Sequence, residues 1–150
     1  MSNYQEKYLK YKNKYIELLN QLGGEITEAQ LQSLRVETGI EITMAQLQSL
    51  RPSYETSGHN ASQIRYCISQ MKRFAVCMQT DMSEEKSRKY QFFYQIGRIQ
   101  ELLKSIPEIW WKPFEKMIKQ RNYDGIEGYT DLLCKAIGCE YVQDILDQGC

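Results

Sequence analysis

Apolar residues recur along most of this chain at intervals of three and four, the spacing of one face of an α-helix. From residue 64 onward such runs follow one another, and no segment alternates convincingly with period two. Because a half-buried strand would show that alternation, the pattern predicts an all-α fold. We expect residues 59–150 to form a helical bundle domain of four or five helices.

Caps and prolines predict where the bundle helices begin. Asp81, with Glu84 three residues on, is typical of an N-cap and N3 pair opening the second helix. Pro113 predicts another start, since proline is tolerated only in the first turn of a helix. The segment 122–125, Asn-Tyr-Asp-Gly, predicts a turn.

The first 24 residues predict a basic amphipathic helix. Its apolar positions alternate in steps of four and three, as in a short heptad seam; they are Tyr4, Tyr8, Tyr11, Tyr15, Leu18 and Leu22. Gly23 and Gly24 would end this helix. The four tyrosines need a covering surface, so we expect them to contact the rest of the chain, a protein partner or a second copy in a homo-oligomer.

Residues 25–58 contain an internal repeat and a linker. Residues 25–35 return as residues 41–51 with one difference, Glu28 in the first copy and Met44 in the second. Two short helices are predicted, and the repeat is either a duplication in a tolerant linker or a docking surface.

Each repeat helix is predicted to begin with a capping box. Thr27 and Thr43 are the N-cap candidates, and the glutamine three residues after each completes the box. Pro52 should stop the second helix. The polar residues 53–60 place the domain boundary there.

The formal net charge of zero hides an uneven distribution. Residues 59–122 carry twelve basic and six acidic groups, whereas residues 123–150 carry one lysine and six acidic groups. The simpler interpretation is that these two parts pair inside the molecule. The alternative is a nucleic-acid surface on which Tyr66, Tyr90 and Tyr94 stack on bases. Its candidate basic contacts are Arg65, Lys72, Arg73, Arg88 and Lys89.

Residues suited to catalysis are sparse. The single histidine, His59, lies in the polar linker, and the glycines form no phosphate-binding motif. The five cysteines contain no Cys-x-x-Cys pair, and we expect reduced thiols rather than a disulfide framework. We therefore expect a non-enzymatic protein without catalytic residues, metal or cofactor. We also expect no membrane span, because no apolar run approaches about 18 residues.

Trp110 and Trp111 form the most conspicuous aromatic pair. On a short turn between Pro107 and Pro113, the two indoles cannot both enter the same core. We expect one to be buried and the other to lie at an edge, where tryptophan commonly anchors a protein partner.

Residues 7–24, KYLKYKNKYIELLNQLGG, resemble an N-terminal segment shared by many proteins of giant nucleocytoplasmic DNA viruses, mimivirus-like ones especially. The shared pattern is roughly KYLKYKxKYLxLKxQxGG, from which Ile16 and Leu19 depart without disturbing the heptad. The segment precedes many unrelated domains, so it indicates origin rather than activity. The resemblance implies a viral protein of the host cytoplasm, the viral factory or the virion.

The resemblance also implies a hypothesis about processing. Related large DNA viruses carry SUMO-protease-like cysteine proteases that cut after Gly-Gly, so the segment ending at Gly24 would be a removable tag or packaging signal. The alternative is that Gly23 and Gly24 only cap a helix. The whole pattern predicts a protein that acts through helical contact surfaces; the alternative is a nucleic-acid-associated factor using residues 59–122.

Overall fold

A computed structural model describes residues 27–103 and 108–150, and every regular element in these ranges is a helix. The predicted all-α fold is therefore confirmed, whereas the predicted N-terminal helix lies outside the described residues. The elements are α1 (Glu28–Thr38), α2 (Met44–Gln48), α3 (Leu50–Glu55), α4 (Asn60–Thr80), α5 (Glu85–Leu102), a 3₁₀ turn (Glu108–Trp110), α6 (Lys112–Lys119), α7 (Tyr123–Ile137) and α8 (Gln143–Leu146).

The centre of the fold is α4, which packs most extensively on α5 and next on α7. Asn60 at the start of α4 donates a hydrogen bond to the Leu102 carbonyl at the end of α5, so the two helices run antiparallel. An aromatic cluster joins α5, α6 and α7, with the Phe114 ring 5.2 Å from Phe92 and 4.7 Å from Tyr129 between centroids. Removing these rings from water contributes much of the stability of such a bundle.

The repeat helices belong to the same core as the bundle. α1, α2 and α3 each pack on α7, and their buried leucines lie in one hydrophobic cluster with the residues of α4–α7. Residues on both sides of the proposed boundary at 53–60 therefore share one interior. This packing favours a structural role for the repeat over that of a tolerant linker.

Asp81 ends α4 instead of opening α5, so its predicted capping role is wrong. Its backbone N–H donates to the Cys77 carbonyl at 2.8 Å, and its carboxylate accepts from the Ser83 N–H at 2.9 Å. A short aspartate side chain readily bonds the backbone two residues on, which is a turn rather than a helix cap. The hydrogen bonds from Ser83 lower the pKa of Asp81, and α5 begins at Glu85.

The predicted turn at 122–125 is the first turn of α7. The Asn122 side chain caps the helix by accepting from the Gly125 N–H at 3.0 Å. A Cβ atom at Gly125 would lie 2.8 Å from the Thr38 methyl group, so glycine allows α1 to approach α7 closely. The start predicted from Pro113 is confirmed, since this proline lies in the first turn of α6.

Pro52 does not end the helical structure as predicted. The chain breaks at Ser49 and continues as α3, with Pro52 in its first turn. A first-turn N–H has no partner inside the helix, so the missing donor of proline costs little at that position.

The cysteines differ from the expectation of reduced thiols. Cys77 at the end of α4 is bonded to Cys150, with their Cα atoms 5.6 Å apart, and Cys134 is paired with Cys139. Cys67 is free and buried, and this burial raises the pKa of its thiol. Sequence spacing missed the first pair because 73 positions separate its members and only the fold brings them together.

Candidate interaction surface

Three of the basic residues assigned to nucleic acid hold the C-terminal segment on the bundle. Arg65 donates to the carbonyls of Glu140 and Tyr141. Arg73 donates to the Gly149 carbonyl at 2.8 Å, and Arg88 donates to the Cys150 carbonyl at 2.9 Å. The three guanidinium groups therefore hold the C-terminal segment, residues 138–150, against α4 and α5.

The other two basic candidates form ion pairs. Lys72 on α4 lies 2.9 Å from the Asp131 carboxylate and 3.4 Å from that of Glu127, both on α7. Lys89 lies 2.8 Å from Glu85 one helical turn away. Four of the five cations therefore contact residues 123–150, Lys72 through carboxylates and the three arginines through backbone carbonyls, whereas Lys89 pairs within the basic part. These contacts favour internal pairing of the two parts of the chain over a free basic surface.

A polar network lies where α4, α7 and the C-terminal segment meet. The Tyr141 hydroxyl donates to Asp131, and its burial and the neighbouring carboxylate raise the pKa of this phenol. The Lys72 ammonium lies 5.8 Å from the centroid of the Tyr141 ring. Burial lowers the pKa of Lys135, whose ammonium has no hydrogen-bond partner among the described residues. The network therefore joins α4, α7 and the C-terminal segment.

The tryptophan pair is placed as the sequence predicts. Trp110 is buried against Phe114 with the rings edge-on, and its carbonyl accepts a hydrogen bond from the Tyr129 hydroxyl. Trp111 is half-buried and packs against the core. Trp110 therefore supports the fold from within the core, and the anchoring role assigned to the partly exposed Trp111 stays a prediction.

The remaining candidate contact and processing residues belong to the N-terminal segment. Tyr4, Tyr8, Tyr11, Tyr15, Gly23 and Gly24 all lie outside the described residues. Their assigned roles in contact and processing stay predictions.

An exposed aromatic surface lies on α5, where Tyr90 is 74% exposed, Tyr94 57% and Phe93 36%. With 3.6 residues per turn, six positions of this helix fall within one sector of about 100°. We call this sector the α5 stripe; it consists of Lys86, Tyr90, Phe93, Tyr94, Gly97 and Glu101. From the sequence alone, these tyrosines were predicted only to stack on nucleic-acid bases. Their position on the face opposite the buried Phe92 and Ile96 would have identified the stripe.

Other kinds of site are weakly represented. Within residues 27–103 and 108–150, no group of three or more potential ligands could hold a metal ion. A small pocket of about 20 Å³ lies between α4, α5 and α7 and is lined mostly by apolar side chains such as Ile68 and Met71. It is about the size of one water molecule and nearly free of polar partners. No helix in the described part of the chain is long and apolar enough to cross a membrane.

Comparisons with known proteins found no relative: no family model, curated protein or solved structure matches the chain.

Proposed function

We propose that this chain is a non-enzymatic protein of a giant DNA virus that acts in the virion or the viral factory through helical contact surfaces. The observation that carries this proposal is the α5 stripe, where three exposed aromatic residues lie within two turns of a long helix. Aromatic side chains are enriched at protein interfaces and supply much of their binding energy. The resemblance of residues 7–24 to the N-terminal segment of giant-virus proteins supports the viral origin.

The packing of α5 supports a role in binding. The face opposite the stripe is buried through Phe92, Ile96 and Ile99. Near its first turn, Glu85 accepts a hydrogen bond from the Tyr123 hydroxyl and pairs with Lys89. A contact surface that is held in place before binding loses less conformational entropy when a partner docks.

Photocrosslinking in the infected host tests the proposal. A benzophenone amino acid at Tyr90 should give discrete protein adducts, because a docked partner would cover this side chain. The matched control carries the same group at Lys119, which is exposed on α6. Adducts at position 90 that are missing at position 119 support the proposal, and equal or no adducts at the two positions contradict it.

The alternative function, a nucleic-acid-associated factor, would use the exposed tyrosines for stacking. The internal contacts of Arg65, Lys72, Arg73, Arg88 and Lys89 favour the protein-contact function instead. Binding of a single-stranded oligonucleotide that weakens steeply with salt would support the alternative. We expect no such binding.

The fate of the N-terminal segment is tested separately. The N-terminal peptide of the protein from purified virus particles should be identified by mass spectrometry. A peptide beginning at Glu25 supports removal of a tag after Gly24, whereas one beginning at Met1 or Ser2 supports a retained segment that takes part in contacts. Either result places the protein in the virion, and its absence from particles favours the viral factory.

A further inference from the structure

We infer that the α5 stripe is the interface of a two-fold symmetric homodimer, in which the α5 helices of two copies pack antiparallel. The inference rests on the proposed function, because it names the partner of the same surface. Three features of the stripe carry it: the order of its residues, the charges at its two ends and a glycine within it.

The order of residues along the stripe is self-complementary. Consider an antiparallel pair of α5 helices whose two-fold axis passes between Phe93 and Tyr94. A residue that lies a given number of positions before the axis then faces the residue of the partner helix that lies the same number of positions after it. Tyr90 then faces Gly97 of the partner subunit, and Phe93 faces Tyr94 of the partner subunit. A two-fold interface requires this property, since the same patch must fit itself.

The charges at the ends of the stripe match in the same register. Lys86 near the start of α5 faces Glu101 of the partner subunit near the end of its helix. No ion pair of Lys86 occurs in the described part of the chain. Glu101 forms an exposed ion pair with Arg98 at 3.2 Å, and its carboxylate can accept a second cation. Antiparallel packing brings opposite charges and opposite helix-dipole ends together, whereas parallel packing would place like charges side by side.

Gly97 provides the space that this register needs. Glycine inside a helix is less stable than alanine because it loses more backbone entropy on folding. A Cβ atom at Gly97 would meet nothing within 4 Å, so the described fold gives no steric reason for glycine. In the dimer, the position lies under the Tyr90 ring of the partner subunit, where the missing side chain lets a large aromatic group approach the helix backbone.

The partner is a second copy rather than an unrelated protein, because an unrelated partner would not require a self-matching order of residues. The contact is one face of an 18-residue helix. We expect one helix face to bury less area than a standard stable interface, and therefore expect a weak, concentration-dependent dimer.

Sedimentation equilibrium of charge variants tests the register. Lys86→Glu and Glu101→Lys each place like charges opposite each other at both ends of the interface, so each should raise the dissociation constant about fivefold. The double variant restores opposite charges and should return to the wild-type value. Lys119→Glu is the matched control and should leave the dissociation constant unchanged.

Gly97→Leu tests the fit independently of charge. Leucine fills the space meant for Tyr90 of the partner subunit, so the dissociation constant should rise at least about tenfold. Leucine is also a better helix former than glycine, and the thermal midpoint of the monomer should not fall. Loss of the dimer without loss of stability separates a blocked interface from a misfolded chain.

Two results would overturn the inference. One is a wild-type chain that stays monomeric up to about 1 mM. The other is a dimer that ignores all α5 substitutions, as expected if the heptads of residues 1–24 form it. The benzophenone experiment separates this failure from that of the proposed function: adducts at position 90 with other proteins only would remove the homodimer and keep the interaction protein.

Discussion

The two copies of the repeat have nearly the same sequence, yet only the first forms one continuous helix. α1 runs from Glu28 to Thr38, whereas the second copy breaks at Ser49 into α2 and α3. Both copies begin alike, because Thr27 and Thr43 each accept from the backbone N–H of the glutamine three residues on at 3.2 Å. The shared eleven residues therefore determine how each helix begins but not how far it extends.

The difference in length arises from the residue after each copy. Val36 follows the first copy and Pro52 the second. Within a continued helix, the proline ring would clash with the carbonyl of Gln48 four residues earlier, so the chain turns before it. The first copy continues to Gly39, whose φ of 73° is the left-handed conformation that glycine adopts without strain.

The single difference within the repeat also fits its surroundings. Glu28 is exposed and pairs with Arg35 at 3.0 Å. Met44, at the equivalent position, packs against the core. Arg35 also donates to the Ile42 carbonyl at 3.0 Å, which ties the two copies to each other.

Replacing the central leucine of each copy tests whether both are part of the core. Leu31 and Leu47 are each 0% exposed. Leu31→Ala and Leu47→Ala should therefore each lower the free energy of unfolding by about 3 kcal/mol, measured by urea denaturation. Losses below about 0.5 kcal/mol in either copy would indicate a loose linker instead.

Exchanging the residues that follow the copies tests the cause of the break. Val36 is 78% exposed, so Val36→Pro removes little packing. It should still cost about 3 kcal/mol, because it places proline inside α1. Pro52→Val, where the break is already formed, should cost less than about 1 kcal/mol. Similar losses from the two changes, measured by thermal unfolding, would refute proline as the cause.

Removing the caps tests the shared beginning of the copies. Thr27→Ala and Thr43→Ala should each lower the free energy of unfolding by about 1 kcal/mol, since each leaves a first-turn N–H without its acceptor. Serine at the same positions keeps the hydroxyl and is the control. If serine is as damaging as alanine in either copy, the capping hydrogen bond is not the cause.

The smallest effect is expected at the one position where the copies differ. Glu28→Met removes only an exposed ion pair, so it should change the free energy of unfolding by at most about 0.5 kcal/mol. Met44→Glu should cost more, because it brings a carboxylate against the core. The comparison fails if the two exchanges have equal effects in urea denaturation.

The sequence predicts the fold class and much of the local structure of this protein. Helical periodicity, the two capping boxes and the start of α6 at Pro113 follow from interactions between residues close in the chain. The errors at Asp81 and Asn122 have the same origin, because short polar side chains cap helices and form turns with similar sequence patterns. Only the packing of the neighbouring helices decides between these uses.

Long-range features could not be predicted in the same way. The Cys77–Cys150 bond and the contacts of Arg73 and Arg88 join residues more than 60 positions apart. Their chemistry was visible in the sequence, but their partners depend on how α4, α5 and the C-terminal segment pack. The α5 stripe was hidden for a related reason, since its tyrosines stand out only once the opposite face of the helix is known to be buried.

The molar mass of the chain in solution is the most direct test of the claim that the α5 stripe is a contact surface between two copies. The wild-type protein and the variant Tyr90→Ser/Tyr94→Ser should be compared by sedimentation equilibrium over the same concentration range. Both tyrosines are exposed, so the variant should fold as the wild type does. We expect the wild type to approach twice the chain mass of 17.7 kDa and the variant to remain at 17.7 kDa. Equal masses for the two proteins at every concentration would contradict it.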